Sequence, residues 1–406
     1  MVWVTKKLPE ALFIQEGPGI RKYEYEEGGY PMINVRCVQD GYIDMTSSKS
    51  ASMELATTKW KHFQVDAGDI LYTISGTIGR SAIVKESDLP LLMNTSVVRF
   101  KTLTPDLIPK FAYYYFKTDK FINELLDQST GTAIKNVGPS HLKKMDISHP
   151  SLTEQKRIVA ILDQAFADID KARALTEQNL KNAREMFESY LQQVFSQRGV
   201  GWVKAELFDH VRFIDYRGKT PTKIESGLRL ITAKNVRMGY LKDYPMEFVS
   251  PDSYDEWMTR GIPVKGDVLF TTEAPLANVA QLDTDEKVVF AQRIITMQPD
   301  REVLNDSFLK YLLMSSPIQR RIHEKGTGAT ATGIKASLLK KIPIEFPGCL
   351  QEQGAIVKKL DSLTSHVEGL EKIYNEKLEW LDALKKSLLQ KAFSGELTNS
   401  SAEAAA

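Results

Sequence analysis

Residues 68–73 read Gly-Asp-Ile-Leu-Tyr-Thr, and 198 positions later residues 266–271 read Gly-Asp-Val-Leu-Phe-Thr. Residues 33–43 match residues 231–241 at the same offset. Further matches, within one residue of that offset, are Trp3-Val4 with Trp202-Val203, 142–144 with 339–341, Glu154-Gln155 with Glu352-Gln353, and Leu162-Asp163 with Leu360-Asp361. Several matches in one order at one offset indicate a duplication. The chain therefore consists of two copies of one unit of about 200 residues.

The composition is that of a globular protein, with 42% hydrophobic and 26% charged residues. No apolar run reaches the roughly 18 residues of a membrane-spanning helix, and the N-terminus has no long apolar segment. We therefore expect neither a signal peptide nor a membrane partner. Cys37 and Cys349 lie far apart and form no metal or redox motif, which predicts reduced thiols in a cytoplasmic protein. The net charge of +1 argues against nonspecific coating of nucleic acid but allows local basic faces.

Each copy divides into a mixed segment of about 150 residues and a helical segment of about 45 residues that would form a rod of about 65 Å. In both helical segments apolar residues recur at steps of three and four, which is typical of the seam of a coiled coil. The seam residues are Ile158, Leu162, Ala165, Ile169 and Ala172 in the first helix, and Ile356, Leu360, Leu363, Val367 and Leu370 in the second.

The connectivity predicts how the two helices pair. The first helix begins where the first mixed domain ends and finishes where the second domain begins. If a pseudo-two-fold axis relates the copies, the second helix must run back toward the first domain. The helices are then antiparallel, and each is the nearest partner for the seam of the other. The alternative is a helical hairpin inside a single globular core.

The mixed segments show short strands followed by a helical patch, without strand–helix–strand alternation, and this order favours an α+β fold. In the first copy we expect strands at 32–38, 69–74 and 92–100. The aromatic and aliphatic stripe that includes Phe111, Tyr114 and Tyr115 is interpreted as core rather than as a platform for stacked bases. The predicted boundaries are 1–150 and 199–348 for the mixed domains, 151–198 and 349–396 for the helices, and 397–406 for a flexible tail.

A small, glycine-containing loop lies between the helical patch and the long helix in both copies, at 129–135 and 326–335. Its backbone N–H groups could face phosphate. It could equally be a turn that packs on the adjoining helix, and the sequence does not separate these interpretations.

Catalytic motifs are missing. Gly218-Lys219-Thr220 looks like the end of a P-loop, but Phe213 stands where that motif needs a glycine. The chain has no Pro-Pro pair, so the Asn-Pro-Pro-aromatic motif of amino-methyltransferases is absent. The six histidines are scattered, and no His/Cys cluster has metal-ligand spacing. We therefore expect no catalytic residues, no metal and no cofactor.

The duplicated order of these segments resembles the specificity subunits of type I restriction-modification systems, and the resemblance covers the whole chain. It rests on residues 142–150 followed by Glu154-Gln155 and Ile158-Val159, which are repeated as 339–347, Glu352-Gln353 and Ile356-Val357. Residues 215–221 and 265–272 also look like recurrent sequence of that family. The resemblance implies two α/β target recognition domains separated by two long antiparallel coiled-coil helices. The strong divergence of the first 150 residues of the copies is expected if they read different half-sites.

The resemblance also implies the partners. Each recognition domain would read one half of a bipartite site in double-stranded DNA. The helices would set the spacer and dock two methyltransferase (M) subunits, and the restriction/translocase (R) subunits would join through the complex. The chain itself would be non-catalytic, as the missing motifs suggest.

A DNA reader needs Lys and Arg for phosphates, and Arg, Lys, Asn or Gln for base edges, about one helical turn (roughly 34 Å) apart on one face of the duplex. Solvated surface is the other interpretation of any one such residue. The candidates are Arg21, Lys22, Arg36, Lys59, Lys61 and Arg80 in the first copy, and Arg212, Arg217, Lys219, Lys223, Lys234 and Arg237 in the second.

Two other classes of protein compete with this interpretation. A self-sufficient enzyme, such as a fused methyltransferase-endonuclease, would need the cofactor and catalytic motifs that are missing. A duplicated coiled-coil adaptor would bind protein or carbohydrate instead of DNA. Genes for an N6-adenine methyltransferase and a helicase-nuclease next to this one would favour the DNA reader.

Overall fold

A computed structural model of the chain describes residues 2–127, 137–197, 199–216, 221–328 and 332–398. The chain divides into two compact units, Met1–Thr176 with Glu376–Ala406, and Glu177–Asn375. Each unit contains one mixed domain and a part of each long helix.

The first mixed domain contains nine strands and five short helices among its described residues. They are β1 (Val4–Lys7), α1 (Leu8–Ala11), β2 (Leu12–Glu16), β3 (Tyr25–Ile33), β4 (Lys49–Ala51), α2 (Met53–Thr57), β5 (Ile70–Thr73), β6 (Ser81–Ile83), β7 (Leu92–Met93), β8 (Val97–Thr102), α3 (Pro109–Tyr115), α4 (Asp119–Asp127), α5 (Pro139–Leu142) and β9 (Asp146–His149). Single 3₁₀ turns lie at Lys22–Glu24, Met45–Ser47, Lys61–Phe63 and Glu86–Asp88. The long helix α6 (Leu152–Ser196) follows.

The second mixed domain follows the same plan. Its elements are β10 (Trp202–Glu206), β11 (Val211–Asp215), β12 (Lys223–Ile224), β13 (Leu228–Ile231), β14 (Glu247–Val249), α7 (Tyr254–Trp257), β15 (Val268–Thr271), β16 (Val279–Gln281), β17 (Val288–Phe290), β18 (Ile294–Pro299), α8 (Asp306–Met314), α9 (Ser316–Glu324), α10 (Ala336–Lys340) and β19 (Pro343–Pro347). Its 3₁₀ turns are Leu207–Asp209 and Pro251–Ser253. The long helix α11 (Leu350–Ser394) follows.

The sheets of the two domains correspond one for one. A four-stranded sheet in the order β2-β8-β5-β6 corresponds to β11-β18-β15-β16, and all of its pairs are antiparallel. The sheet β4-β3-β7 corresponds to β14-β13-β17, to which β12 is added as an edge strand, and the pairs β3–β7 and β13–β17 are parallel. The antiparallel pairs β1–β9 and β10–β19 join the first and last strands of each domain, next to the start of the following long helix. The α+β class and the duplication predicted from the sequence are confirmed.

The repeated Gly-Asp motif has a structural origin in both domains. Gly68 and Gly266 adopt left-handed backbone conformations with φ of +88° and +96°. The buried carboxylates that follow, of Asp69 and Asp267, each accept a hydrogen bond of 2.9 Å from the backbone N–H three residues earlier. Burial raises the pKa of both carboxyl groups. The motif therefore closes the tight turn that leads into the central strands β5 and β15.

The core of each domain continues onto the long helices. In the first unit the aromatic residues of α3 and α4 share one core with Ile158 and Leu162 of α6 and with Leu389 and Ala392 of α11. In the second unit the residues of α8 and α9 share a core with Leu360 of α11 and with Leu191 and Phe195 of α6. The aromatic stripe is thus core, as predicted, and each long helix also helps to complete a globular domain.

Candidate nucleic-acid interface

A buried glutamine joins the first domain to α6. Gln155 is fully buried, and its Oε1 accepts a hydrogen bond of 2.9 Å from the backbone N–H of Ile108. Its Nε2 donates to the backbone oxygens of Asp106 and Pro150 at 2.7 and 2.9 Å. One side chain therefore fixes the start of the long helix to two separate segments of the domain.

Gln353 makes the same three bonds in the second unit. Its Oε1 accepts from the N–H of Asn305 at 2.8 Å, and its Nε2 donates to the oxygens of Val303 and Pro347 at 2.9 and 2.8 Å. Gln353 is also fully buried. The match of Glu154-Gln155 with Glu352-Gln353 is visible in the sequence, but the role of the glutamines is not, because it depends on backbone partners that only the fold brings together.

A tyrosine and an aspartate form a second connection in each unit. The hydroxyl of Tyr114 donates to Asp163 of α6, and the hydroxyl of Tyr311 donates to Asp361 of α11. Burial is the main cause that raises the pKa of both tyrosines, and the neighbouring carboxylate is the second. Each domain is therefore held on its long helix at two points that the copies share.

The long helices pair in opposite directions within each unit. In the first unit Asp170 and Arg173 of α6 form ion pairs with Lys385 and Asp382 of α11, so an advance along α6 corresponds to an equal step back along α11. In the second unit Arg184 pairs with Glu371 at 2.5 Å, while later residues of α6 share a core with earlier residues of α11. The predicted antiparallel pairing is thus observed within each unit.

The residues predicted for the helix seam differ in burial. Ile158, Leu162, Ile169, Leu360 and Val367 are buried. Ala165, Ala172, Ile356, Leu363 and Leu370 are half-buried. Because the first residues of each seam pack in the core of a mixed domain, the seam joins helix to domain as well as helix to helix.

Large apolar side chains also lie on the outer faces of the long helices. In the first unit Trp380 is 70% exposed, and Leu384 and Leu175 are exposed as well. In the second unit Ile373 and Met186 are exposed. Trp380 and Leu384 are one helical turn apart on α11 and so lie on one face of that helix.

The basic candidates of the first domain fall into two groups. Arg21, Lys22, Lys59 and Lys61 are exposed and lie near one another, because Lys59 approaches the carboxylate of Glu24 at 3.6 Å. Arg36 and Arg80 belong to neighbouring turns, since Val35 is the nearest side chain to Gly76 and the N–H of Gly41 donates to the oxygen of Ser81.

The described candidates of the second domain are spread over three places. Arg212 is exposed on β11, and Lys223 on β12 pairs with Glu247 at 2.8 Å. Lys234 and Arg237 lie on one turn, which the side chain of Asn278 joins by a hydrogen bond to the oxygen of Val236 at 2.9 Å. The predicted residues Arg217 and Lys219 lie outside the described residues.

The glycine-containing loop of the second domain is hydrogen-bonded within itself and to the segment that follows β15. Thr327 and Gly333 exchange two backbone hydrogen bonds of 2.9 Å, and the N–H of Ile334 donates to the oxygen of Thr272. The corresponding loop of the first copy, 129–135, falls outside the described residues. Within the part of the chain that the structure describes, no cluster of three His, Cys, Asp or Glu side chains could hold a metal ion. None of the described helices is long and apolar enough to cross a membrane.

A family model for the type I restriction modification DNA specificity domain matches residues 2–179 and 236–379 of this chain. The chain is 24% identical over 396 residues to the type I restriction enzyme EcoKI specificity subunit of Escherichia coli strain K12, covering 91% of this chain and 82% of the relative. It is 20% identical to the EcoBI specificity subunit of Escherichia coli, covering 98% of this chain and 86% of the relative.

Two solved structures share the fold. One is a chain from a structural study of complex assembly and conformational transition of the type I R-M system. It has a TM-score of 0.78 at 20% identity, with 97% of this chain and 98% of that chain covered. The other is the HsdS subunit from Thermoanaerobacter tengcongensis, with a TM-score of 0.58 at 20% identity and 97% of both chains covered.

Proposed function

The chain belongs to the family of type I restriction modification DNA specificity domains, and on that premise we propose that it is the DNA specificity subunit of a type I restriction-modification complex. The recognition domains are residues 1–150 and 199–348, and each reads one half of a bipartite site in double-stranded DNA. The observation that carries this proposal is the duplicated connection of domain to helix. Gln155 and Gln353 hold two domains of different surface chemistry in one and the same way.

The long helices set the spacer between the half-sites. A spacer requires domains that cannot swing freely on the helices, and the paired connections through Gln155 with Tyr114, and through Gln353 with Tyr311, meet that requirement. The ion pairs Asp170–Lys385 and Arg184–Glu371 hold the helices in register within their units.

The outer faces of the helices dock two methyltransferase (M) subunits. Exposed aromatic and aliphatic residues on a soluble helix favour burial against a partner, and tryptophan is enriched at the energetic centres of protein interfaces. Trp380 with Leu384 is the strongest such feature on α11. The restriction/translocase (R) subunits join through that complex and carry out cleavage and translocation, so the present chain is non-catalytic.

Basic side chains supply the affinity for DNA and base contacts supply the specificity. Arg21, Lys22, Lys59 and Lys61 are proposed to hold phosphates of one half-site, with salt-dependent affinity. Lys234 and Arg237, on the turn that the side chain of Asn278 joins by a hydrogen bond, are proposed to approach the other half-site. The second interpretation of the sequence, an adaptor for protein or carbohydrate, finds no support among the relatives named above, which are all specificity subunits.

Selection from a random library of DNA duplexes tests this function. The full chain, assembled with its methyltransferase subunits, should enrich a motif with two defined halves and an undefined gap of constant length. Raising the salt concentration should weaken binding steeply. A single undivided motif, or no enriched motif at all, would contradict the proposal.

A further inference from the structure

Residues 272–278 of the second domain form a rigid loop between β15 and β16, called here the 272–278 loop. The hydroxyl of Thr271 donates to the oxygen of Pro275 at 2.6 Å and accepts from the N–H of Asn278 at 2.9 Å. From outside the loop, the amide of Gln319 donates to the oxygen of Ala277 at 3.0 Å. The side chains of this loop are therefore presented from a fixed backbone.

The first domain contains the same loop with different residues. The hydroxyl of Thr73 donates to the oxygen of Thr77 at 2.5 Å and accepts from the N–H of Arg80 at 3.0 Å. The left-handed positions also correspond: Gly76 and Gly79 have φ of +73° and +102°, and Ala274 and Ala277 have +47° and +67°. A left-handed conformation is unfavourable for alanine, so the second copy keeps this backbone at an energetic cost.

The exposed side chains on this shared backbone differ between the copies. Glu273 of the second domain forms an ion pair with Arg293, with 2.7 Å between Oε1 and Nε, and the side chains are 41% and 50% exposed. Arg293 itself has a φ of +77°. At the equivalent positions the first domain has Ser75, 198 residues before Glu273, and Ser96, 197 residues before Arg293. Ser96 is equivalent to Arg293 because its backbone oxygen accepts from the N–H of Ile74, as the backbone oxygen of Arg293 accepts from the N–H of Thr272.

The ion pair contributes little to the fold. An exposed salt bridge adds almost nothing to stability, and a left-handed arginine lowers it. A carboxylate on a surface that approaches DNA is also repelled by phosphates unless it makes a specific contact. Such a contact exists in the major groove, where a carboxylate accepts from N4 of cytosine and arginine donates to O6 and N7 of guanine.

We propose that Glu273 and Arg293 determine the specificity of the second domain by reading one cytosine–guanine base pair in its half-site. Arg293 donates to guanine, and Glu273 accepts from the paired cytosine. On binding DNA, each side chain therefore replaces its ion-pair partner with a base. This inference rests on the proposed function. A constant loop backbone with variable exposed side chains is what two readers of different half-sites require.

The double variant Glu273→Ser with Arg293→Ser tests the assignment, because it installs the side chains that the first domain has at the equivalent positions, Ser75 and Ser96. The full chain, assembled with its methyltransferase subunits, is used to select from a random duplex library, and the enriched sites are sequenced. In one half of the motif, the preference for guanine–cytosine at one position should fall by about tenfold or more. The other half and the gap should not change.

The control variant Lys265→Thr with Asp285→Ser removes an exposed ion pair, with 3.3 Å between Nζ and Oδ2, at the opposite end of the β15–β16 hairpin. It should leave the motif unchanged. If the double variant does not fold, Arg293→Lys keeps the charge but loses the two-pronged contact with guanine and should weaken the same preference.

The outcomes separate the inference from the function beneath it. An unchanged motif in the double variant, an equal change in the control, or a change in both halves would overturn the assignment of Glu273 and Arg293 while the bipartite function stands. A wild-type complex that selects no bipartite motif would overturn the proposed function and this inference with it.

Discussion

The hydroxyl of Tyr311 on α8 donates a hydrogen bond of 2.6 Å to the carboxylate of Asp361 on α11. The first unit repeats it between Tyr114 and Asp163. In both units the bond joins a recognition domain to a long helix eight residues, or about two helical turns, beyond the glutamine connection. Two connections per domain restrict rotation about the junction more than one connection would, and a fixed spacer depends on that restriction.

The Tyr311→Phe variant should lower the free energy of unfolding by about 1.5 kcal/mol, because a hydrogen bond to a charged group is lost while the ring still packs. Urea unfolding at pH 7 measures the change. Tyr240→Phe is the control, since Tyr240 is 57% exposed and its hydroxyl can bond to water, and its unfolding free energy should stay within about 0.5 kcal/mol of wild type. An effect of equal size in both variants would contradict the role of the Tyr311 bond.

The stability difference between wild type and Tyr311→Phe should depend on pH above about 10. Burial and the Asp361 carboxylate raise the pKa of Tyr311 in the folded state. A raised pKa contributes stability that is complete below the unfolded pKa and is lost as the pH rises toward the folded value. The difference should thus be constant from pH 7 to 9 and fall at pH 11, and a difference that grew between pH 9 and 11 would show the opposite sign.

The duplication, the α+β class and the two long helices could be predicted from the sequence because each depends on many residues in a regular pattern. Strand boundaries could not. The strand expected at 32–38 ends at Ile33, because the side chain of Asn34 accepts from the N–H of Arg36 and turns the chain. The strand expected at 92–100 is interrupted because Asn94 accepts from the N–H of Ser96. A single asparagine bonded to its own backbone outweighs the preference of its apolar neighbours for a strand.

The candidate site was less predictable than the fold. Basic residues can be identified in a sequence, but the side chains that lie next to them in the folded protein cannot. The Glu273–Arg293 pair was missed because its members are 20 positions apart and neither has a match in the first copy. The loop at 272–278 could not be predicted from the sequence because it has Ala274 and Ala277 where the first copy has Gly76 and Gly79. Glycine indicates a turn, and alanine does not.

Replacing Trp380 with alanine should weaken the association of this chain with its methyltransferase subunits by more than tenfold, because truncation of a tryptophan anchor removes a large apolar contact. Isothermal titration calorimetry with the purified subunits measures the dissociation constant. Leu103→Ala, at a position that is 57% exposed outside the long helices, is the control and should leave it unchanged. Equal binding by the Trp380 variant and wild type would exclude this face of α11 as the docking surface.

Lengthening both long helices by one turn should widen the gap between the half-sites. Four residues inserted after Leu180 of α6 and four after Asn375 of α11 add about 6 Å to each helix. The gap should grow by one or two base pairs at about 3.4 Å each, while both half-site sequences stay the same. Sequencing of the methylated sites gives the gap directly, and an unchanged gap in a folded, active complex would refute the spacer role of the helices.

Exchange of one recognition domain is the most direct test that each domain reads its own half of the site. Residues 199–348 are replaced by the corresponding domain of another specificity subunit, and the sites methylated by the reconstituted complex are sequenced before and after. We predict that one half of the motif is replaced while the other half and the gap persist. A motif in which both halves change, or neither does, would contradict the account.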